Sequence, residues 1–211
     1  MCSIGAAVAL AALGDTIRIA PGTYVENVAL PFDLDLIGTG GAAVTFVDGG
    51  ALGSVITIPA AVTVTIEGLT IQNGLAERGA GILSDGALTL RNSTITDNHT
   101  PGAGAANQGG GGIGTSGPGV TSDLVVEQSV IRDNSVLGSG FGYGGGILFA
   151  SGSLRISDSI VHGNSVAGGF DARGAGISTT GDASVEITRT ELFENFGGIS
   201  LNLAGFSSFL V

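Results

Sequence analysis

The chain has no lysine and no tryptophan, and only one cysteine, one methionine and five prolines among its 211 residues. Each scarcity removes a class of explanation. With arginine as the sole full cation, seven basic groups face 18 carboxylates and the net charge is −11. Non-specific nucleic-acid binding depends on clustered basic side chains, so no nucleic-acid partner is expected. The same field repels anionic polysaccharides at long range, although a local arginine can still contact one. A lone Cys2 builds no disulfide framework; it is either inert or paired with another chain. No apolar run reaches the ~18 residues of a membrane-spanning helix. Aromatic residues make up 5% of the chain, too few for a globular core built on rings, whereas an apolar content of 43% supplies a narrow, continuous one. The 39 glycines do not imply disorder, because the sustained alternation described below and the positive mean hydropathy cover the ordering entropy.

What the chain does contain is a repeat. Residues 144–164, GGGILFASGSLRISDSIVHGN, recur with substitutions. One earlier copy opens at Gly110-Gly111-Gly112-Ile113 and closes over 124–134; another opens at Gly79-Ala80-Gly81-Ile82 and closes over 88–98. A later copy opens at Gly174-Ala175-Gly176-Ile177 and closes over 185–195, and a diverged early one ends at residues 64–74. Within a copy the period is two: Leu154, Ile156, Ser159 and Val161 fall on one side, Arg155, Ser157, Ile160 and His162 on the other. That is strand alternation. A shift near Asp158 puts a bend between two short strands, and the Gly-Gly-Gly-Ile segment opens a third. No helical crossover separates the copies, which excludes a βαβ sheet and leaves an all-β coil of three strands stacked on its neighbours. We read a right-handed parallel β-helix forming one domain over 1–211: a capping helix at 1–13, irregular first coils at 14–73, and regular repeats at 74–211.

In such a stack like positions lie about 4.8 Å apart, so columns carry the meaning. Ile66, Leu90, Val126, Ile156 and Ile187 form one inward apolar column; Ile71, Ile95, Ile131, Val161 and Leu192 form another. Asn98, Asn134, Asn164 and Asn195 end each second strand, where an amide can donate to one rung and accept from the next while satisfying turn backbone. These four are expected to be a structural ladder. Ser93, Ser129, Ser159 and Thr190 make a hydroxyl column beside it.

At the start, residues 1–13 are apolar and alanine-rich. No basic residue precedes the run, and Gly14-Asp15-Thr16-Ile17 leads straight into a strand rather than a cleavage site. With Ile4, Val8 and Ala11 on one helical face, the segment is expected to be a short helix covering the open end of the solenoid, which would otherwise expose strand edges and bare core. Cys2-Ser3-Ile4-Gly5-Ala6-Ala7-Val8 with Gly14-Asp15-Thr16-Ile17 resembles the opening segment of bacterial CSLREA-domain proteins, with Gly5 and Ala6 in place of the family's Arg-Glu. Ile19-Ala20-Pro21-Gly22-Thr23-Tyr24 and Val47-Asp48-Gly49-Gly50 resemble the first coils of pectin-lyase-like β-helices, and the later rungs resemble polymorphic outer-membrane-protein repeats. The resemblance implies a segment of a longer, secreted surface protein. It does not imply one activity, because these motifs occur in adhesins, glycan-binding stalks and polysaccharide lyases alike.

Between residues 21 and 50, Leu34 with Leu36 and Val44 with Phe46 read as alternating strand pairs. The turns after each ladder asparagine vary in length and project from one edge, where solenoids place binding function. Their rings, Phe141, Tyr143 and Phe170, either stack on sugars or pack over the solenoid wall. Gly109, Gly111 and Gly114 fit a GxGxxG pattern but lead into a strand, not a helix, so no dinucleotide site is expected. The Gly-rich segments lack the aspartate of a calcium-binding β-roll. His99 in a loop and His162 on an outward strand position stand apart from metal-spaced partners.

The outward charges carry the remaining chemistry. Glu67, Arg91 and Glu127 share one column, and Arg155 adjoins Glu186 in another; these read as ion-pair ladders. Asp97 and Asp133 occupy equivalent places on neighbouring rungs beside Arg132 and His162. Two carboxylates about 5 Å apart can bind Ca²⁺ or share a proton, so these four residues are the candidate catalytic patch of a lyase or hydrolase, and Asp97 with Asp133 the candidate Ca²⁺ site. Against this, no lysine base is present and Gly163 interrupts the acidic column. The function expected is therefore that of a non-catalytic extracellular segment of a bacterial surface protein, for adhesion to a glycan or to a host or neighbouring cell surface, or as a rigid spacer. A polysaccharide lyase or glycoside hydrolase is the alternative. Phe206, Phe209, Leu210 and Val211 leave an apolar terminus that predicts end-to-end self-association.

Overall fold

A computed structural model describes residues 3–102, 108–117, 119–138, 141–167, 171–197, 201–203 and 206–210. Cys2, Phe170 and Val211 lie outside the described residues, as do the side chains of Phe141, Phe206, Phe209 and Leu210.

Among the described residues every strand pairs in parallel with its equivalent one coil away, and three long stacks result. The first sheet has eight strands, from Thr16–Ile19 through Ala87–Arg91 and Gly152–Ser157 to Phe206–Leu210. The second has seven, from Gly22–Val25 to Glu191–Phe193; the third also has seven, from Val28–Ala29 to Leu201–Leu203. This is the parallel β-helix that the alternation predicts. Its register reproduces the inward columns: Ile66, Leu90, Val126, Ile156 and Ile187 pair in succession, as do Ile71, Ile95, Ile131, Val161 and Leu192. One core runs from Ile4 to Ile187. A fully buried leucine or isoleucine such as Leu90 contributes about 1.5–3 kcal/mol to the fold.

The bends follow from backbone chemistry. Between the first and second sheets Gly68, Asn92, Gln128, Asp158 and Arg189 all have positive φ, and after the second sheet Asn73, Asp97, Asp133, Gly163 and Glu194 do so as well. The left-handed region is open to Gly and is reached several-fold more often by Asn and Asp than by other side chains. A single such residue turns the chain, and the next strand resumes the alternation.

Four expectations are corrected. The helix covers Ile4–Val8 rather than residues 1–13; Ser3 caps it by accepting from the Ala6 amide, and Ile4 and Val8 are buried. Glu26 accepts from the Ile4 and Gly5 amides at 2.6 and 2.9 Å, so an anion from the first coil neutralises the free helix donors. Next, residues 14–73 are not irregular at the level of strands, since Thr16–Ile19, Leu34–Gly38 and Thr63–Glu67 stack in the same register as later coils. Only their turns differ. Thirdly, the strand Thr45–Asp48 buries Thr45 and Val47, not Val44 and Phe46, because Val47 pairs with Ile71 and must share its inward side. Lastly, coils are not limited to three strands. His99–Gly102, Ser135–Gly138 and Ser165–Ala167 form one added three-stranded sheet; Gln108–Gly109, Phe141–Tyr143 and Asp171–Arg173 form another. The segments expected as projecting loops are thus a stacked flange with its own small core of Val136, Val166 and Ala175.

Candidate functional site

The asparagine ladder is built as its spacing predicts. Asn98 donates through Nδ2 to Asn134 Oδ1 at 3.0 Å, Asn134 to Asn164 at 3.0 Å, and Asn164 to Asn195 at 3.0 Å. Each amide also donates to a carbonyl of the preceding coil, namely Ile71, Ile95, Ile131 and Val161 in turn. Backbone amides of Asn98, Asn134 and Asn164 donate to the next Oδ1. The hydroxyl column is a second ladder: Ser93, Ser129 and Ser159 receive the backbone amide of residues 69, 93 and 129 and donate to the carbonyl two residues back.

The outer surface of the second sheet carries the candidate patch. Thr96, Arg132, His162 and Phe193 pair in register as one outward column, and Asp97 and Asp133 stand at the left-handed turn that follows it. The four candidates are therefore neighbours, yet they do not face one common gap: Arg132 and Asp133 pair with each other, while Asp97 and His162 are engaged elsewhere. Asp97 accepts from Thr96 Oγ1 at 2.8 Å. Asp133 is ion-paired to Arg132, and its other oxygen leans over Gly163 on the next coil. The His162 ring stacks on Phe193, centroids 4.9 Å apart and 9° from parallel. A shallow groove of about 350 Å³ runs along this face, lined by Phe46, Gln72, Thr96, Asp97 and Arg132 among others. The turn position itself accounts for aspartate at 97 and 133.

On the first sheet, Arg91 pairs with Glu127 at 2.7 Å and Arg155 with Glu186 at 3.4 Å, as their columns predict. Arg189 forms a two-pronged pair with Asp158 at 2.6 and 2.7 Å; this hydrogen bond lowers the aspartate pKa and raises that of the arginine. Among the described residues no group of three or more His, Cys, Asp or Glu is placed to hold a metal ion. Of the three rings, Tyr143 is half-buried on the flange. No described helix is long and apolar enough to cross a membrane.

Sequence reasoning missed Asp48. It pairs with Gln72 in the same outward column, but coil lengths that change along the chain conceal that alignment. Its carboxylate accepts from the Gly50 amide at 2.9 Å, Gln72 Nε2 at 3.0 Å and Asn73 Nδ2 at 2.7 Å. Partial burial acts to raise its pKa, but the three donors outweigh burial and hold it below the ordinary value of 3.8. With the folded pKa lowered, its stabilisation is complete above the ordinary carboxylate range and is lost as pH falls through the folded value. Asp48→Asn should therefore shrink the difference in urea midpoint between about pH 5 and pH 2.5; an unchanged difference would remove Asp48 from the acid response.

Comparison with curated proteins finds no match to the chain. Residues 45–201 do match the family described as right-handed beta helix region, and a match over that much of the 211 residues, on a chain whose strands stack coil upon coil, shows that the chain belongs to that family.

Proposed function

We propose that this β-helix is a non-catalytic extracellular segment of a bacterial surface protein, used for adhesion, glycan contact or rigid spacing. The observation that carries the proposal is the disposition of the exposed charges. Arg91, Arg132, Arg155 and Arg189 each pair with a carboxylate on the same or an adjacent coil. A hydrolytic site needs an acid and a base facing a common gap, whereas these groups neutralise one another along the wall. The resemblance of the opening segment to CSLREA-domain proteins and of the rungs to polymorphic outer-membrane-protein repeats supports the surface location. Buried asparagine and serine ladders suit a spacer, since they make bending a coil cost hydrogen bonds. End-to-end association of isolated chains belongs to the same proposal.

A pectin-lyase-like lyase or hydrolase is the second reading, favoured by the groove that Asp97 and Arg132 line. The two readings separate in one experiment. Without catalysis, pectate and alginate release no unsaturated products by ultraviolet absorbance, and pectate, alginate and neutral glycans gain no reducing ends. Ca²⁺ then raises the melting temperature little, because two carboxylates supply only part of the six to eight oxygens it requires. A large Ca²⁺ shift together with turnover, both lost in Asp133→Ala, would establish the lyase instead.

A further inference from the structure

Where the flange begins, the solenoid has a step. The first flange strand, His99–Gly102, belongs to a coil whose two predecessors make only short turns at the same corner. It is paired along its length with Ser135–Gly138, but toward the preceding coil it meets a single bridge, Leu75 to His99. The overhang leaves a notch of about 300 Å³ lined by Asp48, Gly50, Ala51, Asn73, Gly74, Leu75 and His99. That volume is at the lower limit of ligand pockets and suits one sugar ring rather than an oligomer.

We propose that this notch binds one uncharged pyranose unit of a glycan, a site separate from the groove on the second sheet. The inference rests on the glycan-contact reading above and gives it an address. Three features of the lining carry it. Asp48 is a preorganised acceptor: its Oδ2 takes two side-chain donors and its Oδ1 one backbone donor, which leaves Oδ1 with capacity for a ligand hydroxyl. His99 is held with Nδ1 2.7 Å from Ser135 Oγ, so Nε2 is the ring atom left for a second hydroxyl. Leu75, 38% exposed, and Ala51 supply an apolar wall for the C–H face of a ring.

The charge of the site selects the ligand. Among the described residues no arginine lines the notch and Asp48 is its one carboxylate, which stays ionised, so a uronate finds repulsion and no cation. A divalent ion is disfavoured for a different reason, since the single carboxylate falls far short of six to eight oxygen ligands. An uncharged sugar needs a fixed acceptor, a second polar group and an apolar wall, and the notch has these.

The test is a titration of ¹⁵N-labelled protein with galactose, mannose and N-acetylglucosamine, with galacturonate and CaCl₂ as the contrasting additions. Amide shifts should move at residues 49–51, 73–75 and 99 for at least one neutral sugar, and not with galacturonate or Ca²⁺. His99→Ala, at an exposed position, should weaken that binding about tenfold, the equivalent of one lost hydrogen bond. Asp48→Asn should abolish it, with the unperturbed spectrum elsewhere confirming the fold. Shifts confined to the second-sheet face, tighter binding of galacturonate or Ca²⁺, no shift with any sugar, or insensitivity to His99→Ala would each overturn the proposal. None of those outcomes reports on polymer cleavage, so a failed notch and a catalytic protein remain distinguishable.

Discussion

Asn134→Ala is expected to destabilise the protein by roughly 3–5 kcal/mol, a large share of the total stability of a single domain. The Asn134 amide accepts from both the backbone amide and Nδ2 of Asn98, and donates to the Ile95 carbonyl and to Asn164 Oδ1. It is completely buried, so no water replaces these partners. Truncation strands several polar groups at once, at about 1–3 kcal/mol each before neighbours relax. Asn92→Gly provides the contrast: Asn92 is exposed, its side chain donates to Glu67 at a long 3.4 Å, and glycine accepts its φ of 48° without strain. Urea midpoints decide the matter. Equal midpoints for the two variants would show that the ladder contributes nothing beyond any other asparagine.

Gly146→Ala is the second change with a large expected effect, although it adds one methyl group. Gly81, Gly112, Gly146 and Gly176 precede the paired Ile82, Ile113, Ile147 and Ile177, so they form a column that faces the asparagine ladder. A Cβ on Gly146 would lie 2.6 Å from the Gly176 carbonyl oxygen and 3.1 Å from both Cγ and Nδ2 of Asn164. Neither neighbour is a flexible chain end: one is backbone of the next coil, the other an amide held by its ladder bonds. Relief of the clash must spread these two coils and lengthen the ladder, so the cost should reach about 3 kcal/mol or more. Gly5→Ala supplies the contrast: it lies in the Ile4–Val8 helix, where a Cβ would meet Glu26 Oε2, the end of a flexible side chain, at 3.3 Å, and alanine is the better helix former. It should leave thermal unfolding nearly unchanged. If Gly146→Ala unfolds no lower than Gly5→Ala, the close approach of glycine to the ladder is not what the column is for.

Much of the scaffold was legible because a stack repeats its constraints. Alternation at Leu154, Ile156, Ser159 and Val161 pointed to the inward side, and all four are buried. Asn98, Asn134, Asn164 and Asn195 announced a ladder because a polar amide recurring at one place in a strand-forming sequence needs recurring partners. The flange was not legible. About half of its residues are Gly, Ala and Ser, which have weak strand preference, and its segments form strands because the coils beneath hold successive copies at pairing distance. Val136 and Val166, each two residues beyond a ladder asparagine, were the available signal.

The candidate patch divides in the same way. Sequence alone placed Asp97, Arg132, Asp133 and His162 on adjacent rungs, since that follows from counting residues along equivalent strands. Whether they converge depends on side-chain directions, and only the tertiary structure decided that Asp133 turns to Arg132 and Gly163 while His162 turns to Phe193. Only the tertiary structure, too, brought Asp48 and His99 to one notch across coils of unequal length. The period of a solenoid is a local property that each copy carries in its own residues, so the chain's sequence determined its β-helical architecture, its inward columns and its ladders. A site on the outer wall depends on how far each turn travels before the next coil begins, and that distance exists only once the coils are stacked.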